Sequence, residues 1–293
     1  MHILVTGGAG FLGGACRDLL AQQTESEVSL LRSGHGPSIS GSFHTCIEAP
    51  SLLNADELTQ QIGARRITHI IHIGALSSPE ACERHPESAH ISNVRFTEML
   101  ADYAARVGAH LTTISTDLVF DGTKAPHDGL SEEHTPRPLS VYSQTKLSAE
   151  KVTLRSPLNT VVRLSLLYGH SSSQSLGVLG WMERAFTEGT PLTLFSDEYR
   201  TPIHVMDAAS AILNLSTRSL PGIWHCGGPA RVSRVEFGTL VAKALGYDPS
   251  LIRPTSRLTI STGPARPEDV ALNSERLWTT LGWRPRGVAE ALG

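Results

Sequence analysis

The sequence predicts an α/β fold: a doubly wound parallel sheet followed by a smaller C-terminal region. Short apolar runs alternate with longer helical patterns up to residue 164, which is the rhythm of strand–helix–strand units. The first apolar run leads directly into a glycine-rich segment, and beyond residue 164 clusters of Gly, Ser and Pro interrupt the rhythm. We therefore expect one domain at residues 1–164 and a second region at 165–293, with a segment around 200–217 that packs back on the first domain.

Each element of this fold follows from a local pattern. Apolar runs predict the strands His2–Thr6, Val28–Leu31, Phe43–Ile47, His69–Ile73, Leu111–Ser115 and Thr160–Leu164. Apolar residues at helical spacing predict the helices Phe11–Gln22, Asp56–Ile62, Pro86–Val107 and Ser140–Leu154. A polar, proline-rich stretch, Gly122–Pro138, precedes the last helix and is expected to form a lid or a site wall.

The composition narrows the class of partner. Of the 293 residues, 40% are hydrophobic and 18% charged, the net charge is −3, and the basic residues are scattered. This argues against a nucleic-acid or membrane partner, and no apolar run reaches the roughly 18 residues of a spanning helix. The four cysteines form no C-x-x-C pair and the N-terminus has no secretory pattern. We expect a cytoplasmic protein with a small-molecule substrate.

A glycine motif follows the first predicted strand. Gly7, Gly10 and Gly13 form a T-G-x-x-G-x-x-G frame that opens a helix at Phe11 and Leu12. The first glycine permits a tight turn, the second lets backbone N–H groups approach a pyrophosphate, and the third permits close helix–strand packing. Glycine-rich turns also join strands to helices for steric reasons alone. The strand before and the helix after favour a Rossmann-type dinucleotide site that includes all five residues.

The end of the second predicted strand bears on the choice of cofactor. An acidic side chain there bonds the adenosine ribose of NAD, whereas an arginine accommodates the 2′-phosphate of NADP. This chain has Arg32 and Ser33 and no carboxylate. We expect NADP(H) over NAD(H), the alternative being that Arg32 only begins a solvated loop.

Tyr142 and Lys146 stand four residues apart at the start of a predicted helix, so their side chains share a face. A neighbouring ammonium stabilises phenolate, and we expect it to lower the tyrosine pKa from about 10 towards neutrality. Thr116 ends a strand at the sheet edge where ligands bind, and its hydroxyl is placed to bond a substrate oxygen. The alternatives are an exposed Tyr–Lys pair and a Thr116 that only caps the following turn.

These residues belong to a longer ordered series. It comprises Ile114–Gly122, Glu133, Pro136, Pro138, Tyr142–Lys146, Glu150, Asp197–Pro202, Asp207–Ala209, Arg266–Pro267 and Leu272. In this series the chain resembles the extended short-chain dehydrogenase/reductases, and among them the dTDP-4-dehydrorhamnose reductase-like group. The resemblance covers nearly the whole chain.

The resemblance implies roles for individual residues. It implies that Thr116, Tyr142 and Lys146 are catalytic and that Lys146 also holds the nicotinamide ribose. It implies that Gly74 and Ala75 line the cofactor, that Asn93 packs in the core beside the site, and that residues 165–293 bind substrate. It further implies a homodimer, formed through the Tyr103–Val107 end of one helix and the exposed face of Ser140–Leu154.

Three departures from the family pattern qualify these implications. Related 4,6-dehydratases have an Asp-Glu pair after the threonine, whereas this chain has Asp117 and Leu118, which argues against dehydration. The end of the third strand, Ile47–Pro50, lacks the usual aspartate near the adenine. Ser143 stands where glycine is common, a change that we expect to be tolerated.

Asp117, Arg200 and Arg266 are the candidate substrate-binding residues. A guanidinium binds a diphosphate well through paired hydrogen bonds, and the alternative for each arginine is an internal salt bridge. The sequences His69-x-x-His72 and Cys82-x-x-His85 with His90 invite a metal interpretation, which we reject. Residues three apart on a strand face opposite sides, and the second group lacks a fourth ligand.

These observations predict an NADPH-dependent reductase of a ketone on a nucleotide-linked deoxysugar or a similar polar substrate. Tyr142 would donate the proton, Thr116 would steady the oxyanion, and Lys146 would keep the tyrosine acidic. One alternative is a non-catalytic dinucleotide-binding regulatory subunit, because the family includes the β subunit of methionine adenosyltransferase. A nucleotide-sugar epimerase is the other. The intact Thr–Tyr–Lys set favours chemistry, although a fold never fixes function by itself.

Overall fold

The computed structural model describes residues 1–22, 26–32, 45–48, 54–123, 125–172, 177–259 and 263–293. In these segments, seven parallel strands form the central sheet, in the spatial order β3-β2-β1-β4-β5-β6-β11. They are β1 His2–Thr6, β2 Glu27–Arg32, β3 Thr45–Glu48, β4 His69–His72, β5 His110–Thr116, β6 Thr160–Leu164 and β11 Gly222–Cys226. The chain reverses its winding between β1 and β4, which are neighbours in the sheet, and this confirms the predicted fold class.

Helices cover both faces of the sheet. They are α1 Phe11–Leu20, α2 Ala55–Ile62, α3 Pro79–Arg84, α4 Pro86–His90, α5 Phe96–Val107, α6 Val141–Thr153, α7 Gly177–Thr187, α8 Val205–Thr217, α9 Arg234–Leu245, α10 Glu275–Leu281 and α11 Val288–Leu292. α1 and α8 share one apolar core with the sheet, and α2 and α5 share another on the opposite face. No helix of the described segments is long and apolar enough to span a bilayer.

The C-terminal part of the chain contributes to two layers. Its own apolar core lies between α7, α9 and α11 and the pair β8 Leu192–Phe195 and β13 Ile252–Thr255. The remaining short pairs are β7 Leu167–Tyr168 with β10 Ile203–His204, and β9 Tyr199–Arg200 with β12 Val232–Ser233. α8 and β11 instead join the central sheet and its core, so the later part of the chain completes the earlier layer.

Three features differ from the sequence predictions. The single helix predicted at Pro86–Val107 is α4, a π-helical segment at Ile91–Arg95 and then α5. The sequence analysis did not assign α3 or any of the helices and strands that follow β6. The prediction that the Tyr103–Val107 end of the helix contacts a partner subunit is wrong for Tyr103, whose side chain is 1% exposed and packs in the core between α5 and the sheet. Val107, at the end of α5, is exposed.

Candidate active site

The glycine loop between β1 and α1 has no room for side chains at two positions. Gly7 has φ +71°, and a Cβ added there would lie 2.6 Å from the backbone nitrogen of Gly74. A Cβ on Gly13 would lie 2.1 Å from the carbonyl oxygen of Gly7. The close approach of α1 to the loop therefore depends on glycine at both positions.

The N-terminus of α1 has the properties of an anion site. Gly10 is the N-cap residue with extended backbone, and the first turn contains no acidic side chain. The N–H groups of a first turn lack partners within their own helix, and the helix dipole adds positive potential there. Phe11 and Leu12, in that turn, line the adjoining cleft. A phosphate group would be held here by backbone N–H groups.

A cleft of about 1040 Å³ adjoins this loop. Its wall combines the predicted cofactor residues with the predicted catalytic residues; it includes Gly7, Gly10, Phe11, Leu12, Gly74, Ala75, Thr116, Tyr142 and Lys146. Such a volume is at the upper end of the range for small-molecule sites. The structure thus brings the two predicted groups to one cavity, while Gly13 lies under the loop and acts through packing.

The predicted preference for NADP over NAD depends on Arg32 and Ser33, which the structure describes only in part. Arg32 ends β2, but its side chain and all of Ser33 lie outside the described residues. The expectation of NADP over NAD therefore stays a prediction. The glycine cradle and the anion site at α1 suit the pyrophosphate that both cofactors share.

Thr116 and Tyr142 line the same cleft. Thr116 is the last residue of β5, and its hydroxyl accepts a hydrogen bond from the Leu118 N–H at 3.2 Å. That bond caps the short turn after the strand, as the alternative interpretation expected. The same hydroxyl donates to Asp117 Oδ1 at 3.2 Å, and its proximity lowers the pKa of the Tyr142 phenol. The two hydroxyls therefore form one polar spot on the cleft wall.

The pKa of Tyr142 differs from our expectation. Burial, followed by the negative charge of Asp117, raises the pKa of Tyr142 to about 12, against which the Thr116 hydroxyl acts. The expectation that Lys146 brings this pKa near neutrality is wrong for the protein alone. Burial also lowers the pKa of Lys146 to about 8, opposed by the charge of Glu150. At neutral pH the tyrosine therefore keeps its proton, and the lysine is largely charged.

Lys146 is supported by a buried ion pair that the sequence analysis missed. Glu150 lies one turn further along α6 and accepts hydrogen bonds from Arg163 Nε and Nη2 at 2.9 and 2.7 Å. The Ser115 hydroxyl donates to the same carboxylate at 2.5 Å. An arginine flanked by valines and a leucine in the buried strand β6 was the available sequence signal, because a buried charge requires a partner.

Asn93 lies in the π-helical segment and bridges two parts of the site. Its side chain accepts from the Leu76 N–H at 2.8 Å and donates to the Leu76 carbonyl at 3.1 Å and to Thr145 Oγ1 at 3.0 Å. Leu76 follows the cofactor-wall residues Gly74 and Ala75, and Thr145 is on α6. π-Helical turns of this kind recur at functional sites because they redirect side chains. Here the turn places an amide between the segment that follows Gly74 and Ala75 and helix α6.

Asp117 and Arg200 bind each other. The guanidinium of Arg200 donates from Nε and Nη2 to the two carboxylate oxygens of Asp117, and both residues are buried. Burial raises the pKa of Asp117, while Arg200 acts in the opposite direction. This is the internal salt bridge that we weighed as the alternative for Arg200. A substrate role for either residue stays a prediction.

Arg266 lies at a separate small cavity of about 70 Å³, whose wall also includes Arg200, Ser140 and Ser143. It approaches Glu198 at 3.5 Å and Glu80 at 3.7 Å, and it is partly exposed. These long contacts leave the guanidinium accessible to an anion. Its role as a substrate ligand stays a prediction.

Ser143 has a structural role that the family comparison did not suggest. The Ser140 hydroxyl accepts from the Ser143 N–H at 3.2 Å, and the Ser143 hydroxyl accepts from the Ser140 N–H at 3.0 Å. This reciprocal capping box fixes the first turn of α6, where Tyr142 lies. The serine is thus favourable at this position.

Sheet architecture, glycine loop and the adjoining cleft together define a Rossmann-type α/β protein. The chain belongs to the family described as RmlD substrate binding domain, whose model matches residues 1–293. This confirms the resemblance inferred from the ordered motifs.

Two relatives illustrate the sequence similarity. The beta subunit of methionine adenosyltransferase 2 from Bos taurus is 30% identical over 99% of this chain and 87% of that protein. A probable low-salt glycan biosynthesis reductase from Haloferax volcanii is 26% identical over 96% of this chain and 93% of that protein. Relatives with these two descriptions therefore align with nearly the whole chain.

Solved structures share the fold. A dTDP-4-dehydrorhamnose reductase from Clostridium acetobutylicum has a TM-score of 0.84 and 24% identity, covering 100% of this chain and 97% of that one. A dTDP-4-dehydrorhamnose reductase from Bacillus anthracis, solved with NADP, has a TM-score of 0.80 and 22% identity, covering 99% and 96%. At these identities the likeness establishes architecture.

Proposed function

We propose that this chain is an NADPH-dependent reductase of a ketone on a nucleotide-linked deoxysugar or a similar polar substrate. One observation carries the proposal. The hydroxyls of Thr116 and Tyr142 and the ammonium of Lys146 line the same cleft as the glycine loop and the anion site of α1. A substrate carbonyl beside these hydroxyls would face a nicotinamide bound along the same cleft.

The proton inventory suits reduction. A bound reduced nicotinamide supplies a hydride for the carbonyl carbon, and the chain must supply a proton for the oxygen. Tyr142, whose raised pKa keeps the phenol protonated at neutral pH, is the donor. Thr116 donates a hydrogen bond to the same oxygen as negative charge develops there. Lys146 stabilises the phenolate that remains after proton transfer, and Glu150 compensates its charge.

Charged residues beside the cleft support the substrate class. Arg266 is partly exposed and lines a small cavity together with Leu118 and Ser143, where its guanidinium would bind an anionic group of the substrate. Arg200 would join it only by exchanging Asp117 for substrate. Arg32 and Ser33 at the end of β2 would select NADPH.

The test is consumption of NADPH or NADH, followed by absorbance, over a panel of nucleotide-linked keto-sugars. We expect turnover with at least one keto-sugar and a preference for NADPH. Tyr142→Phe should lose at least about 100-fold in kcat and retain NADPH affinity, because it removes only the proton donor. Equal rates for Tyr142→Phe and the unaltered chain would refute the mechanism. An epimerase would instead interconvert sugars without net change in absorbance.

A non-catalytic regulatory subunit is the second candidate, favoured by the 30% identity to methionine adenosyltransferase beta subunits. It requires a stoichiometric enzyme partner and no NADPH consumption on any keto-sugar. Affinity purification with quantification of bound partners separates the two candidates.

We also propose a homodimer through α5 and α6, to be tested by light scattering of the unaltered chain and Val107→Glu.

A further inference from the structure

A chain of hydrogen bonds through buried side chains and one backbone carbonyl connects the Gly74 segment to helix α6. Thr6, the last residue of β1 before Gly7, lies 2.8 Å through Oγ1 from His72 Nδ1. His72 Nε2 lies 3.0 Å from Thr97 Oγ1, and the Thr97 hydroxyl donates to the backbone carbonyl of Asn93 at 2.7 Å. Asn93 then reaches Thr145 on α6. His72 is thus bonded on both sides, and it is 2% exposed.

The bonds at the two ends fix where the protons are. The Gly74 N–H donates to Thr6 Oγ1 at 3.1 Å, which leaves the threonine proton to point at His72 Nδ1. Thr97 uses its proton for the Asn93 carbonyl, so its oxygen accepts from His72 Nε2. Each hydroxyl proton has one acceptor when His72 carries its proton on Nε2 alone.

The surroundings keep the ring neutral. Burial and the positive charge of Lys146 lower the pKa of His72 to about 3. The ring of Phe96 packs against the imidazole, with centroids 5.2 Å apart, and contributes no charge. A neutral imidazole both accepts and donates, as the two threonines require.

We propose that His72, as the neutral Nε2–H tautomer, is a positioning residue that aligns the cofactor wall at Gly74 with the helix that carries Tyr142 and Lys146. This inference rests on the proposed reductase function for its kinetic consequence. The hydrogen bonds of His72 go to Thr6 and Thr97. Through Thr6 it acts on Gly74, and through Thr97 and Asn93 it acts on Thr145.

The consequence concerns geometry in the cleft. Thr145 donates to the Tyr142 carbonyl at 2.8 Å, so the position of Asn93 is transmitted to the residue proposed to donate the proton. Hydride and proton transfer depend on sub-ångström placement, and a shift of about 1 Å costs up to about 100-fold in rate. Loss of the His72 bonds should therefore reduce kcat more than it reduces cofactor affinity.

Thr97→Val removes the bond on the side away from the cofactor. We expect kcat to fall at least about 10-fold, NADPH affinity to change less than about 2-fold, and Thr97→Ser to restore the rate. Thr153→Val is the matched control, because Thr153 is also fully buried, donates to the carbonyl four residues earlier and shares a hydrogen bond with the Thr113 hydroxyl. An equal loss in Thr153→Val would overturn the proposal.

A double-variant cycle tests whether His72 transmits the effect. Thr6→Val and Thr97→Val delete bonds to opposite nitrogens of one ring, so the double variant should lose about the same factor as the worse single variant. Multiplication of the two losses would mean that the threonines act independently and would overturn the proposal. The Thr97 pair remains decisive if Thr6→Val or a His72 variant fails to fold.

Two spectroscopic readouts do not depend on turnover. The imidazole ¹⁵N spectrum should give the neutral Nε2–H form of His72 at pH 7, and an Nδ1–H or doubly protonated ring would overturn the proposal. The ¹³C ring signal of Tyr142, assigned by its loss in Tyr142→Phe, should shift in Thr97→Val and not in Thr153→Val. An unshifted signal refutes the positioning role, whereas shifted signals in a chain without turnover refute the reductase function only.

Discussion

Glu150 and Arg163 form a buried bidentate ion pair, with both side chains 2% exposed. The carboxylate also accepts from Ser115 and compensates the charge of Lys146. Neither charge has water as an alternative partner, so each depends on the other. The pair thus joins α6 to β6 directly behind the proposed catalytic lysine.

Removing one member of this pair should destabilise the protein strongly. We expect Arg163→Met to lower the free energy of unfolding by about 3–5 kcal/mol, because the Glu150 carboxylate is left buried without its main partner. Glu150→Leu combined with Arg163→Met should recover part of that loss. Urea unfolding of the three proteins measures this, and a double variant less stable than Arg163→Met would contradict the pair's electrostatic origin.

Gly13→Ala should abolish dinucleotide binding. Its methyl group would lie 2.1 Å from the Gly7 carbonyl oxygen and 2.7 Å from the Gly8 Cα, so the loop must move from α1. We expect at least a 100-fold weaker affinity for NADPH by fluorescence titration, about 2.7 kcal/mol. Gly287→Ala is the control, because nothing lies within 4 Å of its added Cβ. Unchanged affinity in Gly13→Ala would contradict the assigned loop geometry.

Stability should fall on mild acidification. Burial lowers the pKa of His72 and His225 to about 3 and that of His110 to about 4, against 6.5 for the unfolded chain. Below pH 6.5 the unfolded state binds more protons at these groups, so each histidine costs about 1.4 kcal/mol per pH unit down to its folded pKa. Their contribution is thus fully present above pH 6.5 and is lost as the pH falls towards 4 for His110 and towards 3 for His72 and His225.

The variant His110→Gln isolates one of these contributions. It should reduce the slope of unfolding free energy against pH between 6 and 4.5 by about 1.4 kcal/mol per unit. The exposed His127→Gln provides the control for the substitution itself. Equal slopes in His110→Gln and the unaltered chain would mean that His110 takes up protons without unfolding.

Arg266→Gln should weaken substrate binding without affecting the cofactor. Its guanidinium lies over the Phe195 ring and makes long contacts with Glu80 and Glu198, which an anionic substrate would displace. We expect KM for the keto-sugar to rise at least about 10-fold with less than about 2-fold change in NADPH affinity. Arg253→Gln, on β13, is the comparison. A rise confined to the cofactor Kd would reassign Arg266 to the cofactor site.

Local patterns predicted the elements whose structure is determined locally. β1 and β6 have the predicted bounds, and α6 begins one residue after the predicted start because Ser140 is its N-cap. β11 was missed because Gly222–Cys226 follows a region of irregular pattern and pairs with a strand about 60 residues earlier. No local pattern reports that pairing.

The site divides in the same way. The positions of Gly7, Tyr142 and Lys146 along one cleft follow from motif spacing and the rules of parallel sheets. The partner of Arg200 does not, because Asp117 lies 83 residues away and substrate or carboxylate fits the sequence equally well. The tyrosine pKa was mispredicted for a related reason: burial, which outweighs any single charge there, is a property of the assembled fold.

The placement of β11 has a practical consequence for attempts to divide the chain. A fragment ending at residue 164 would leave β6 as an outer strand unpaired on one side, with its N–H and C=O groups there open to pairing with other molecules. We expect such a truncation to aggregate. Supplying the missing strand as a peptide in trans should restore solubility, because the outermost strand of the sheet, β11, comes from the later part of the chain.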